Sequence, residues 1–69
     1  MEITREMMEA VALSLLYNER EDTRLRQVIS KKMSSKEMEQ LIKDIKLHPD
    51  FKDIKEDIVR IESAGLIDD

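Results

Sequence analysis

An all-α fold, a compact bundle of about four short helices forming one small domain over residues 1–69, is what this sequence predicts, and three observations predict it. The chain has one glycine and one proline, too few for the turns of a many-stranded sheet. Its apolar residues recur at helical spacing in four segments separated by charged or helix-breaking residues. Its 69 residues, 41% hydrophobic and 41% charged, suffice for one core and not for two.

The first helix is expected at about residues 4–18. Ile3, Met7, Met8, Ala10, Val11, Ala12, Leu13, Leu15, Leu16 and Tyr17 crowd into it, with Ser14 the only polar residue between Ala10 and Tyr17. A helix apolar all round must be covered all round. The charged run Glu19-Arg20-Glu21-Asp22 then reads as a connection, with Asp22 or Thr23 able to cap a second helix at about 23–32. Leu25, Val28, Ile29 and Met33 give that helix one apolar side.

Ser34 followed by Glu37 is a capping box, and it opens a third helix at about 35–47 with Met38, Leu41, Ile42 and Ile45 on one face and a Glu39–Lys43 pair outside. His48-Pro49 ends it, because proline pushes the preceding residue out of the α region. Phe51, Ile54, Ile58 and Ile61 stripe a fourth helix at about 51–64. Ala64-Gly65 is expected to close it in a left-handed turn, with Leu66 or Ile67 folding back near Ile61.

Several function classes are disfavoured. Without cysteine there is no disulfide framework and no thiolate chemistry, which fits a reducing compartment, and a cytoplasmic location is expected. The longest uncharged run, Ala10 to Asn18, is nine residues, short of the roughly 20 that span a bilayer. The acidic N-terminus lacks the basic start of a signal peptide, so neither secretion nor membrane insertion is expected. His48 is the single histidine; as a base or ligand it has no partner set, and it reads better as a helix-ending residue. Asp50, Asp53, Glu56 and Asp57 fall at helical spacing but lack a Glu-x-x-His pair or an EF-hand glycine, so they read as caps and a solvated face. No catalytic residue, metal or cofactor is expected. Met7, Met8, Met33 and Met38 occupy positions that helical periodicity assigns to packing.

Charge is more informative in its distribution than in its total of −4. Residues 1–22 hold two basic and six acidic groups, residues 23–46 seven and three, and residues 47–69 three and seven. The middle is thus a basic band between acidic ends, densest at Arg24, Arg26, Lys31, Lys32 and Lys36. One reading is a solvated face that neutralises the ends of the same chain; the sharper one is a docking surface for an acidic protein. On a helix running to residue 32, Arg24 and Lys31 would share one side. Nucleic acid is not expected as partner, since the band has no aromatic residue to stack on bases.

Ser34 to Ile67 resembles the helix-turn-helix half of a winged-helix domain: a capped helix with Met38, Leu41 and Ile42, a turn, then Ile54, Ile58 and Ile61, and the ending Ala64-Gly65-Leu66-Ile67. The resemblance covers about half of the chain. It implies a DNA-binding regulator whose Gly-Leu-Ile run enters the first strand of a wing. Against that stand the end of the sequence at Asp69 and the would-be recognition helix, where Asp50, Asp53, Glu56 and Asp57 face only Lys52 and Lys55.

The function expected is therefore a small non-enzymatic protein–protein interaction module, an adaptor, inhibitor or regulatory subunit. A helix-turn-helix DNA-binding regulator is the alternative. A homodimer is also expected, because three single-sided helices barely enclose the first one. Met8, Val11, Ala12 and Leu15 are its candidate self-association residues.

Overall fold

In the computed structural model, which describes residues 2–67 and the side chains of residues 2–64, four helices form and each begins where local chemistry permits. Thr4 caps α1 (Arg5–Leu16): its hydroxyl accepts the Met7 N–H, while the Met7 thioether accepts from the Thr4 N–H. The helix ends in a Schellman motif. Asn18 takes the left-handed conformation at φ 56°, the Glu19 N–H donates to the Ser14 carbonyl at 2.8 Å, and the Asn18 N–H to that of Leu15 at 3.3 Å. Asparagine is one of the few residues besides glycine that adopt this conformation, because its short polar side chain can hydrogen-bond locally.

The second helix is shorter than its apolar spacing predicts. It covers Asp22–Val28, and Ile29 is already extended at φ −91°, ψ 123°. The β-branched pair Val28-Ile29 followed by Ser30 propagates a helix poorly. Neither Asp22 nor Thr23 caps α2; the Asp22 carboxylate instead accepts from Arg26 at 2.8 Å. A non-helical stretch then leads to Ser34, whose capping box with Glu37 closes in both directions and starts α3 (Ser35–Leu47) as expected. His48 is extended at ψ 136° and ends α3.

The fourth helix, α4 (Phe51–Ile67), outruns its expected end. It passes through Ala64-Gly65, and among the described residues no glycine has a positive φ. Glycine permits a left-handed turn without requiring one, and no proline follows to stop propagation. No strand forms among the described residues, so the wing entry implied by the helix-turn-helix resemblance is absent there. The expected fold-back of Leu66 or Ile67 lies outside the described side chains.

The hub is α1, which packs against all three other helices, most extensively against α2 and α4. Its Met7, Met8, Val11 and Ala12 join Leu25 of α2, Met38, Leu41 and Ile45 of α3, and Phe51 and Ile54 of α4 in one core. Ile3, Ile29, Met33, Ile42 and Ile58 pack at its edge. The result measures 40 × 22 × 18 Å, and among the described residues no helix is long and apolar enough to cross a membrane.

Candidate partner-binding surface

The basic band does not form a single patch. Arg24 points toward α1, where its guanidinium lies 5.3 Å above the centre of the Tyr17 ring and donates to Glu19 at 2.9 and 3.3 Å. That pairing raises the Arg24 pKa. Arg26 is held by Asp22, whose carboxyl it keeps below the ordinary range, with Arg20 adding to the effect. Two of the five expected docking residues are therefore tied to acidic groups, Arg24 to Glu19 in the connection before α2 and Arg26 to Asp22 in its first turn.

Lys31, Lys32 and Lys36 are exposed, and among the described residues none makes an ion pair. The early end of α2 decides their placement. Lys31 and Lys32 lie beyond the helix, so Lys31 does not share a side with Arg24. It lies instead with Arg26 and Lys32 around a surface cleft of about 330 Å³ floored by Ile29, Met33 and Met38. Lys36 lies further along, where α3 also presents Lys43 and Lys46. The expected Glu39–Lys43 pair is absent; Gln40 donates to Asp44 at 3.0 Å instead. Glu37 is held below its ordinary pKa by the Ser34 N–H and hydroxyl, with the Lys31 charge contributing less.

The self-association residues also require correction. Met8, Val11 and Ala12 are buried within the chain, because α2, α3 and α4 together surround the middle of α1; only Leu15 of the four is exposed, at 36%. Among the described residues the exposed large apolar side chains are instead Leu15, Leu16 and Tyr17 at the end of α1, Val28 and Leu47 at the ends of α2 and α3, and Val59 and Ile61 in the second half of α4, with Leu47 the most exposed at 77%. Ile61 is 64% exposed. Sequence spacing places Ile61 on the same stripe as Phe51 and Ile54, and no sequence signal marks its exposure, since the expected helices make α4 no longer than α1, whereas the observed ones have 17 and 12 residues. The Tyr17 hydroxyl bridges this open end by donating to Glu62 at 2.8 Å, and that carboxylate raises the Tyr17 pKa.

His48 lines an acidic cleft of about 570 Å³ with Asp50, Asp53 and Asp57. Its Nδ1 accepts the Asp50 N–H at 3.1 Å, a turn-closing bond that occupies the nitrogen. Among the described residues no three His, Cys, Asp or Glu side chains are grouped so as to hold a metal ion. Compared with known proteins, the chain matches no family model, no curated protein and no solved structure.

Proposed function

We propose that this protein is a non-enzymatic interaction module, acting as an adaptor, inhibitor or regulatory subunit by occupying a surface of another protein. The supporting observation is the uncovered apolar end formed by Leu15, Leu16, Tyr17, Val59 and Ile61. Exposed apolar side chains beside charged groups, here the Glu62 that Tyr17 bonds and the Arg24 over its ring, suit an interface with an apolar centre and a polar rim. A second copy of the chain is one occupant of this end, giving a homodimer, and a foreign protein with an acidic surface is the partner suited to the lysine-rich side. The cysteine-free chain suits a reducing cytoplasm.

Light scattering across a concentration series, on the wild type and on Ile61→Glu, tests this reading. The wild type is expected to gain mass above 8.1 kDa as concentration rises, and the variant to remain at 8.1 kDa. In parallel, proteins captured from the native cell by immobilised wild type should be lost with the Ile61→Glu bait. A wild type that stays monomeric and captures the same proteins as the variant would remove the apolar end as an interface.

A further inference from the structure

The cleft around Lys31 and Lys32 is one end of a longer feature. It meets a second cleft, of about 370 Å³, at Arg26 and Met38; that one adjoins a third, of about 650 Å³, at Glu21, Glu39 and Ile42. Together they trace a groove along the flank of α3 that faces α2, the least extensive of the contacts between helices. Ile29, Met33 and Ile42 give it a half-buried apolar floor, with Met38 buried beneath. Lysines stand at both ends, Lys31 and Lys32 at one and Lys36 and Lys43 at the other. Two of the acidic residues along it are spoken for, Glu21 by Lys46 and Asp22 by Arg26. Of the charges along the groove without an ion pair, Lys31, Lys32, Lys36 and Lys43 outnumber Glu39, so their net is positive on a chain whose net charge is −4.

We infer that this groove binds an acidic amphipathic helix of a partner protein, an inference that rests on the reading of the chain as a docking module. Charge complementarity selects an acidic occupant, and the apolar floor asks for leucine-like anchors at i, i+4 and i+7. A helix fits because the described residues contain no strand edge to which an extended peptide could add. The length also matches, since the 13 residues of α3 run about 20 Å, roughly the span of a 14-residue helical peptide at 1.5 Å per residue. The floor holds Ile29, Met33, Met38 and Ile42 and no aromatic residue, which favours apolar anchors over stacked bases.

The probe is a fluorescein-labelled peptide of about 14 residues, with leucines on one face and glutamates on the others, titrated with the full chain by fluorescence anisotropy. Its control carries serine for each leucine at equal charge. The probe is expected to bind and the control not to. Lys32→Glu and Lys43→Glu, one from each end of the groove and both exposed in the wild type, should each weaken binding by about tenfold. Lys52→Glu, on α4, should leave it unchanged. Equal binding of probe and control, or an equal loss with Lys52→Glu, would reduce the groove to diffuse charge and overturn the inference. Tighter binding of a random duplex DNA at the same salt concentration would overturn it in favour of nucleic acid. No probe binding, alongside concentration-dependent mass that Ile61→Glu abolishes, would reject the groove and leave the interaction module standing. No binding and no association at either surface would reject both.

Discussion

The seam between α1 and α4 has a closed end and an open end, built from the same kind of sequence. At the closed end Met8 and Ala12 share a core with Phe51 and Ile54, all buried. At the open end Leu15 and Leu16 of α1 and Val59 and Ile61 of α4 remain exposed. The apolar spacing of α4 is unbroken from Phe51 to Ile61, so periodicity does not separate the two ends. A third element does. The tight turn at His48–Asp50, closed by the Phe51 N–H donating to the His48 carbonyl at 3.1 Å, brings the end of α3 against the start of α4. Burial of an amphipathic stripe thus depends on how many neighbours reach it, and the buried residues of α4, Phe51 and Ile54, are those that share the core with Met38, Leu41 and Ile45 of α3.

The largest expected effect follows from that contrast. Ile54→Ala should lower the free energy of unfolding by about 3 kcal/mol, for lost transfer energy plus an unfilled cavity, whereas Ile61→Ala should change it by less than about 0.5 kcal/mol. Urea unfolding at low protein concentration measures both. A comparable loss for Ile61→Ala would show the open end to be covered in solution, which sharpens the case for a second copy there.

The helix count, the Ser34–Glu37 box and the stop at Leu47 were legible because each depends on residues within one turn of one another. The two misplaced helix ends were not. Val28 and Ile29 continue the apolar pattern of α2, yet the backbone leaves the helix between them. Gly65 allows a left-handed turn that α4 does not use, while the residue that does adopt it is Asn18. The excess of basic charge between residues 23 and 46 was readable from its distribution along the sequence, but its division between Arg24 and the Lys31–Lys43 groove was not. That division follows from the end of α2 at Val28 and from the Glu19 and Asp22 carboxylates, which hold Arg24 and Arg26.

Closure of the middle of α1 has left one group unsatisfied. Ser14 is fully buried, and its hydroxyl finds no hydrogen-bond partner among the described residues. A buried hydroxyl without a partner keeps its desolvation penalty, and alanine at that position removes the penalty with little change of volume. Ser14→Ala should therefore stabilise the fold by about 1 kcal/mol in the same urea experiment. Destabilisation would mean that the hydroxyl makes a bond in solution, and that the middle of α1 is less tightly sealed against water than its burial indicates.

At the open end the contact across the seam is polar, and its contribution is the smallest of the three. The Tyr17 hydroxyl donates to Glu62, so ionising the phenol removes the donor and sets two negative charges side by side. The folded-state pKa of Tyr17 is raised from its ordinary value of 10.0, first by this hydrogen bond. For a group raised in this way, the contribution to stability is complete below the unfolded pKa and is lost as pH rises through the folded one. The window therefore lies on the alkaline side of pH 10. The chain contains one tyrosine and no tryptophan, so tyrosinate absorbance reports this group alone. In the native protein its midpoint should lie above that of the urea-unfolded chain, and Glu62→Gln should bring it down by removing the carboxylate charge. Identical midpoints in the native and unfolded chains would mean that Tyr17 does not bridge the seam, leaving α4 beyond Ile58 without a polar tether to α1.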